Sequence, residues 1–265
     1  MASAEASTAN PFSVTDLTIA IVGGTAGIGL AVATHLVGQG ANVAITGRRD
    51  ATDLANEIGA TFVPMDVVDS ASVVAGFSTL AKTMPHLDCL MLNAGVDQFH
   101  GEIDDIDLVA FENVMHINTL GLVRAMAGGV KLMSEGGSVV VTSSPAGSIA
   151  VPGMAAYSAS KAALDMLVRS WALELGPKGI RVNAVLPGLV ESEMAGESTG
   201  ELEVIRRMTA NGVYRRAAEM GPVFQFLASP ASATLTGSAV GAHDGISVGF
   251  SHEVMRHLAA DMEES

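Results

Sequence analysis

The 265-residue sequence contains a single cysteine, Cys89. One cysteine excludes a disulfide within the chain and provides no metal-ligand spacing, so we predict no disulfide framework and no metal site. Cys89 stands in the mostly apolar run Leu87-Asp-Cys-Leu-Met-Leu92, and we interpret it as a buried thiol of the core.

Basic residues are also scarce. The chain has 14 Lys and Arg against 28 Asp and Glu, which gives a formal net charge of −14. Phosphate backbones are bound by basic surfaces, so this balance argues against DNA or RNA as the main partner, and we predict no nucleic-acid partner. It also disfavours docking onto a strongly acidic carrier protein, unless a local basic patch offsets the overall charge.

The sequence lacks targeting and membrane signals. No cationic segment leads an apolar core near the start, so we expect no secretory signal. Residues 17–47 contain no Asp, Glu, Lys or Arg, but glycines break this run, and strand-like and helix-like patterns alternate within it. A membrane span would need a continuous apolar helix, so we predict a soluble, cytoplasmic protein with no membrane partner. With 49% hydrophobic residues, the chain is suited to a fully covered core.

What the sequence does contain is an alternation of short apolar runs with helical patterns. This order predicts an α/β fold in which a parallel sheet is covered on both faces. We predict one domain over residues 14–265, after a flexible tail at 1–13, with a substrate loop near 190–215. Long helices are predicted over 103–133, interrupted at Asn118, and over 157–176. The seven predicted strands are Thr18–Val22, Asn42–Thr46, Thr61–Asp66, Leu87–Asn93, Gly137–Ser143, Ile180–Leu186 and Ser238–Gly241.

A glycine-rich turn follows the first predicted strand, and a helical pattern follows the turn. Gly23, Gly27 and Gly29 would let the backbone approach a pyrophosphate at the helix N-terminus; the alternative is an ordinary tight turn. At the end of the second strand, an acid would suit the ribose hydroxyl of NAD, whereas arginine suits the 2′-phosphate of NADP. Here Gly47 is followed by Arg48 and Arg49. The alternative is that both arginines are simply solvated.

Tyr157 and Lys161 stand four residues apart at the start of a predicted helix, so both side chains lie on one face. A nearby ammonium favours the phenolate and lowers the pKa of tyrosine, whereas burial raises it. Tyr157 is therefore a candidate general acid–base, and Ser144 could bond the oxygen on which Tyr157 acts. Taken alone, the pair is weak evidence and is more typical of an amphipathic helix with a surface lysine.

The ordered set of motifs resembles the short-chain dehydrogenase/reductase (SDR) family over roughly Leu17 to Gly245. The resemblance implies a single-domain, Rossmann-type three-layer fold with a doubly wound parallel sheet of about seven strands. It also implies hydride transfer between NAD(P)(H) and an alcohol–carbonyl pair. The motifs that carry the resemblance are Gly23-x-x-x-Gly27-x-Gly29, Asn93-Ala-Gly95, Asn118, Ser144, Tyr157-x-x-x-Lys161 and Pro187-Gly188.

By position, the resemblance implies that Tyr157 is the acid–base and that Lys161 lowers its pKa and holds the nicotinamide ribose. Ser144 would orient the substrate oxygen, and Asn118 would anchor a water relay through Lys161. For Asn93, purely structural support is an equal alternative. The cofactor-binding residues implied are Gly23, Thr25, Gly27, Ile28, Gly29, Arg48, Arg49, Asp66, Val67, Asn93, Ala94, Gly95, Tyr157, Lys161, Pro187, Gly188, Val190 and Ser192.

Several positions depart from the family pattern. Val22 and Leu92 replace a usual Thr and Asn, and both changes are mild. Residues 213–219 and 243–247 match the family only loosely, which leaves the substrate more open than the reaction.

We expect a carbonyl reductase or alcohol dehydrogenase that prefers NADP(H), with NAD(H) possible. Its substrate would be a small, mostly apolar ketone or alcohol, because the segment after Ser144 is small and apolar. A 3-oxoacyl-thioester (acyl-carrier-protein) reductase is the first alternative, and a non-catalytic dinucleotide-binding sensor is the second. Apolar residues around helix 157–176, together with the resemblance, predict a homotetramer.

Overall fold

A computed structural model describes residues 10–98, 100–191 and 199–263, with side chains omitted at 191, 199–202, 205 and 261–263. Seven parallel strands form one sheet in the order β3-β2-β1-β4-β5-β6-β9. Each overlaps one of the seven strands predicted from the sequence, so the α/β doubly wound fold is confirmed. The strands are β1 Thr18–Val22, β2 Asn42–Gly47, β3 Thr61–Pro64, β4 Leu87–Leu92, β5 Met133–Thr142, β6 Arg181–Pro187 and β9 Ala239–Ala242; β7 Val190–Glu191 and β8 Arg215–Arg216 pair separately.

Helices cover both faces of the sheet. They are α1 Gly27–Gly38, α2 Thr52–Ile58, α3 Ser70–Thr83, α4 Leu108–Met115, α5 Leu122–Gly129, α6 Ala155–Leu175, α7 Thr199–Met208, α8 Gly221–Ala228 and α9 His252–Glu263. Alternate strand residues face opposite layers, as the two-residue period of a strand requires. Ile21 packs in the core that contains α1 and α8, while its neighbour Val22 packs in the core that contains α3, α5 and α6.

The carboxyl ends of the central strands meet at one edge of the sheet. Val22 is level with Thr46 on β2 and with Leu92 on β4, and Leu92 is level with Val141 on β5. The residues that follow these strands therefore lie side by side. In open α/β sheets this edge is where ligands bind.

The helical region predicted over 103–133 is wrong at its start, whereas its end, the 3₁₀ turn Val130–Leu132, lies one residue from the predicted end. The helix begins only at Leu108, because the Asp107 carboxylate accepts from the amides of Val109 and Ala110 and caps it there. Met133 already belongs to β5. The predicted interruption at Asn118 is confirmed, since residues His116–Gly121 form a π-helical segment between α4 and α5.

The chain ends are partly described. The tail prediction for residues 1–9 lies outside the described residues. Pro11 and Phe12 contact the far side of the fold, where Ala231 donates to the carbonyl of Pro11 and the Phe12 ring lies 6.1 Å from that of Phe226. No helix in the described part of the chain has the length and apolar character that a membrane span requires.

Candidate active site

In the glycine turn after β1, two positions have no space for a side chain. Gly23 has φ +81°, and a Cβ there would lie 2.6 Å from the backbone nitrogen of Ala94. A Cβ at Gly29 would overlap the carbonyl oxygen of Gly23 and approach Asn93 Nδ2 to 2.5 Å. Real Cβ atoms do not make such contacts, so both positions require glycine.

Helix α1 begins at Gly27, and no side chain caps its N-terminus. Ile28, in this first turn, packs partly buried against the core on that face of the sheet. The first amides of a helix have no partner within the helix and carry its positive dipole end. Uncapped amides beside a close backbone approach fit a pyrophosphate group.

Asn93 ties this turn to the sheet. Its Nδ2 donates to the carbonyl of Gly23 at 2.8 Å, and its Oδ1 accepts from Thr142 Oγ1 at 2.8 Å. One side chain thus links the ends of β1, β4 and β5. These contacts show that Asn93 supports the turn structurally, and its predicted contact with the cofactor stays a prediction.

The end of β2 presents exposed cations. Arg48 and Arg49 are both exposed, and neither has a salt bridge within the described part of the chain. The side chain of Thr25 fills the space beside Gly47, where an added Cβ would lie 2.7 Å from both Thr25 Oγ1 and Cγ2. An acidic side chain at position 47 is therefore excluded unless Thr25 changes.

Asp66 and Val67 follow β3 toward the same edge. The Asp66 carboxylate accepts from the amide of Val68 at 3.0 Å, and its own amide donates to Ser72 Oγ at 2.9 Å. Val67 is buried against Gly121 of the π-helical segment, where an added Cβ would lie 2.7 Å from Val67 Cγ2. These bonds fix the backbone of both residues at the edge.

Asn118 is fully buried and holds the loop that leaves β4. Its Oδ1 accepts from the amide of Val96 at 2.8 Å and its Nδ2 donates to the carbonyl of Val96 at 2.8 Å. Nδ2 also lies 3.1 Å from Ser160 Oγ on α6. A Cβ at Gly95 would be 3.3 Å from Asn118 Oδ1 and 3.7 Å from Lys161 Nζ, so these three residues converge.

Ser144, Tyr157 and Lys161 meet between β5 and α6. The side chains of Ser144 and Tyr157 lie close enough for Ser144 to lower the pKa of Tyr157. Lys161 is 4% exposed; its Nζ donates to the carbonyl of Thr142 at 2.9 Å and lies 5.5 Å from the centre of the Tyr157 ring. Helix α6 starts two residues before Tyr157, so the predicted i,i+4 pair does share one helix face.

A protein-family model whose description is enoyl-(acyl carrier protein) reductase matches residues 23–247 of this chain. The chain belongs to the short-chain dehydrogenase/reductase family. It is therefore an oxidoreductase of SDR type, and the cofactor of that family is a nicotinamide dinucleotide, NAD(P).

Relatives with printed functions are similar over most of the chain. A cyclic-di-GMP-binding biofilm dispersal mediator protein of Escherichia coli is 33% identical, over 84% of this chain and 94% of its own. The 2-(S)-hydroxypropyl-CoM dehydrogenase 3 of Xanthobacter autotrophicus is also 33% identical, over 86% and 95%. The crystal structure of gox2181 superposes with a TM-score of 0.85 at 28% identity, over 90% of this chain and 98% of its own.

Burial dominates the electrostatics of this SDR site. It raises the pKa of Tyr157 to about 12; the neighbouring Ser144 side chain lowers this pKa, and the charge of Asp97 raises it further. Lys161 Nζ lies 5.5 Å from the centre of the Tyr157 ring, and the lowering of the Tyr157 pKa by Lys161 stays a prediction. Burial lowers the pKa of Lys161 to about 8, against the opposing charges of Asp165 and Asp97. Both groups thus titrate outside their ordinary ranges, as is common at functional sites.

The β6 end of the SDR site is only partly described. Pro187 is the last residue of β6, and a Cβ at Gly188 would lie 2.7 Å from the Cα of His243. Val190 is buried and pairs with Arg215 between β7 and β8. Ser192, predicted to bind the cofactor, lies outside the described residues, as does part of the predicted substrate loop near 190–215. Within that loop, Thr199–Met208 form α7.

The structure adds residues that the motifs did not indicate. Asp97 is exposed and directly follows Val96, whose backbone Asn118 binds. The charge of Asp97 acts on both Tyr157 and Lys161. Its place directly after Asn93-Ala-Gly95 was a signal that could have identified it. Arg215 and Asp244 form a bidentate pair at 2.6 and 2.9 Å, which joins the two segments that depart most from the family pattern.

Proposed function

We propose that this SDR transfers a hydride between NADP(H) and the carbonyl or secondary alcohol of a small, mostly apolar substrate, with Tyr157 as the acid–base. Bound NADPH would supply the hydride to the carbonyl carbon. Tyr157 would protonate the carbonyl oxygen, and Ser144 would hold that oxygen by a hydrogen bond. In the reverse direction the phenolate of Tyr157 would accept the alcohol proton.

The observation that carries this proposal is the convergence of three side chains: Ser144 acts on Tyr157, and Lys161 Nζ lies 5.5 Å from the centre of the Tyr157 ring on the same helix face. A substrate oxygen that bonds to Ser144 would also lie within reach of the Tyr157 hydroxyl. The raised pKa keeps Tyr157 protonated near neutrality, which is the form that reduction requires. Buried Lys161, tied to Thr142, would hold a ribose hydroxyl beside that ring.

The test is Tyr157→Phe, compared with Tyr214→Phe at the second of the two tyrosines. Loss of the proton donor should lower kcat by about 10²- to 10⁴-fold, while NADPH still binds. The Tyr214→Phe variant loses the same hydroxyl group but keeps Tyr157, so its kcat should stay within about threefold. Near-normal turnover of Tyr157→Phe with any ketone that the wild type reduces would end the assignment of Tyr157.

For the cofactor, we propose a preference for NADP(H), with NAD(H) as a weaker alternative. Arg48 and Arg49 are exposed at the end of β2, and Gly47 offers no carboxylate to repel a phosphate. A charge-assisted bond contributes roughly 1.5–3 kcal/mol, equivalent to about ten- to a hundredfold in affinity. Thr25 Oγ1, beside Gly47, supplies a further hydrogen-bond donor at the same place.

Single substitutions separate charge from geometry at this position. Arg48→Ala should lower kcat/KM for NADPH by about tenfold or more and leave that for NADH within twofold. Arg48→Lys keeps the charge but loses the planar guanidinium group. Its kcat/KM for NADPH should therefore lie between that of the wild type and that of Arg48→Ala. A wild type that favours NADH, or an Arg48→Ala variant with unchanged selectivity, would refute the preference.

Reversing the preference requires attention to Thr25. Gly47→Asp alone would force the new side chain onto Thr25, because its Cβ would lie 2.7 Å from two Thr25 atoms. The combination Thr25→Ala, Gly47→Asp and Arg48→Ala removes this overlap, adds repulsion against a phosphate and offers an acceptor to a ribose hydroxyl. We expect this variant to favour NADH.

The substrate proposal rests on the segment after Ser144. Ala146, Ile149 and Met154 are half-buried there, and Val151 is 40% exposed. These small apolar side chains favour a neutral, apolar ketone. The charge of Asp97, which acts on Tyr157, opposes anionic substrates. Together with the net charge of −14, it disfavours the acyl-carrier-protein alternative.

A turnover screen separates these substrates. NADPH oxidation would be followed with neutral ketones, keto acids and 3-oxoacyl thioesters, each tested on wild type and on Asp97→Asn. Neutral ketones should be preferred, and Asp97→Asn should improve keto acids by several fold. Exclusive activity on acyl thioesters would instead establish the carrier-linked reaction.

A second candidate is a sensor without turnover, favoured by the relative whose name includes binding of cyclic-di-GMP. A sensor would not need Asn118, Ser144, Tyr157 and Lys161 together, and this chain has all four. Calorimetric titration with cyclic-di-GMP, alongside the turnover screen, distinguishes the two candidates. Micromolar binding with no turnover would favour the sensor.

We also propose a homotetramer, in which the outer face of α6 meets another subunit. Met166 and Leu173, seven residues apart on α6, are 56% and 82% exposed, and Val109 on the adjacent α4 is 79% exposed. An apolar stripe opposite the buried face is typical of an interface. Leu173→Glu should dissociate the assembly in light scattering, whereas Ile103→Glu, also at an exposed apolar position, should not. A monomeric wild type at micromolar concentration would refute the proposal.

A further inference from the structure

The helix that carries Tyr157 is capped from a distant part of the chain. Its N-cap residue, Met154, makes no side-chain cap bond. Instead, the amide of Ala156 donates to Nε2 of His100 at 2.9 Å, across 56 residues of sequence. His100 therefore holds the amide directly before Tyr157 in the first turn of α6.

This bond fixes the protonation state of the imidazole. A backbone N–H can only donate, so Nε2 of His100 must carry a lone pair, and a neutral ring then has its proton on Nδ1. An imidazolium could not accept this bond and would place a positive charge at the positive end of the α6 dipole. His100 is 3% exposed, and Nδ1 has no hydrogen-bond partner in the described part of the chain.

Both the ring and the backbone of His100 make further contacts. The His100 ring packs edge-on against Phe111 of α4, with centres 5.4 Å apart. The amide of Asp107, which caps α4, donates to the carbonyl of His100 at 2.7 Å, and the His100 amide donates to Gly153 at 3.3 Å. The loop after β4 is thereby tied both to α4 and to the segment that enters α6.

We propose that His100 is a positioning residue, whose neutral imidazole caps α6 at Ala156 and so sets the place of the Tyr157 ring against Ser144. This inference rests on the proposed role of Tyr157 as the acid–base. It assigns a task to a histidine that belongs to none of the motifs above and that would not touch the substrate.

The first test needs no turnover. Long-range ¹H–¹⁵N spectra of the histidine-labelled wild type, assigned by loss of one signal set in His100→Gln, report the tautomer directly. We expect the Nδ1–H tautomer for His100, in contrast to the Nε2–H form that free neutral histidine favours. An Nε2–H tautomer or an imidazolium at neutral pH would overturn the proposal.

The second test separates positioning from folding. His100→Ala removes the acceptor, His100→Gln restores one through its amide oxygen, and His86→Ala controls for loss of an exposed histidine. We expect His100→Ala to lower kcat per NADPH-binding site by about ten- to a hundredfold, as small misplacements of reacting groups do. The Kd for NADPH should stay within twofold, and His100→Gln should recover most of kcat.

The outcomes distinguish this inference from the proposed function. If Tyr157→Phe is inactive but His100→Ala keeps kcat per binding site, the positioning role fails and the acid–base assignment stands. If His100→Ala loses only folded protein, seen as fewer binding sites with normal kcat, the role is structural and the proposal fails. If Tyr157→Phe retains turnover, the proposed function fails whatever His100 does.

Discussion

Two regions of this molecule, one proposed to bind the nucleotide (the nucleotide side) and one proposed to bind the substrate (the substrate side), are stabilised by different interactions. On the nucleotide side, at the ends of β1, β4 and β5, the contacts are buried hydrogen bonds and close backbone approaches. Asn118 is 0% exposed there, and Asn93 bridges Gly23 and Thr142. On the substrate side, formed by β7, β8, α7 and α9, partly exposed ion pairs dominate, among them Arg215 with Asp244 and Glu203 with two arginines of α7.

This difference implies different costs of movement. Breaking a buried hydrogen bond leaves a polar group without water, whereas exposed ion pairs exchange readily with solvent and are screened by salt. The nucleotide side should therefore stay rigid while the substrate side adjusts. A family that keeps one cofactor and changes its substrates suits such a division.

The largest effect expected on the nucleotide side comes from Gly29→Ala. The added methyl group overlaps the carbonyl oxygen of Gly23 and displaces Asn93, so the turn must shift. We expect the Kd for NADPH to rise by about a hundredfold or more, measured by fluorescence titration. Gly38→Ala at the other end of α1, where an added Cβ meets nothing within 4 Å, should bind normally. Equal binding by both variants would show that the turn is not rigid.

Asn118→Ala should have the next largest effect. This substitution removes the side-chain hydrogen bonds to the amide and the carbonyl of Val96, and the one to Ser160 Oγ, within a buried site. The free energy of unfolding should fall by about 2–3 kcal/mol, as measured in urea. Asn113→Ala, at an exposed position on α4, is the control and should change it by about 0.5 kcal/mol or less. A similar loss in both variants would mean that burial does not distinguish the two sites.

Titration of Lys161 should give a smaller effect. Its pKa is lowered to about 8, so the ammonium is present below that pH and is lost above it, while Tyr157, with a pKa of about 12, stays protonated. We expect kcat/KM for carbonyl reduction to be flat from pH 6 to 7 and to fall roughly five- to tenfold between pH 8 and 9. A profile that stays flat to pH 9.5 would show that the charge of Lys161 is not required.

The smallest effect is expected on the substrate side, from Arg215→Ala. Loss of the bond to Asp244 should raise the KM for substrate about two- to fivefold and lower the Tm by only about 1–3 °C, because partly exposed ion pairs contribute little. Arg216→Ala, whose side chain is 75% exposed, is the neighbouring control. If Arg215→Ala lowered the Tm as much as Asn118→Ala does, the two sides would not differ in how strongly their interactions stabilise the fold.

The sequence predicted the strands, the glycine turn and the pair Tyr157–Lys161, because these depend on local patterns with a fixed period. It did not predict the contacts that join distant segments. His100 bonds the amide of Ala156 and Asn93 bonds Thr142, and no periodicity links such residues. The pKa of Tyr157 escaped prediction for the same reason, since burial depends on everything packed around the ring.

The π-helical segment His116–Gly121 changes the angular phase of the helical region that contains it. Each residue turns a helix by about 100°, so one extra residue in a turn rotates everything after it relative to everything before it. Val114 before the segment and Leu122 after it are both fully buried, yet Asn118 between them reaches Val96. The segment therefore changes which residues of α5 face the sheet, relative to the residues of α4 that do so.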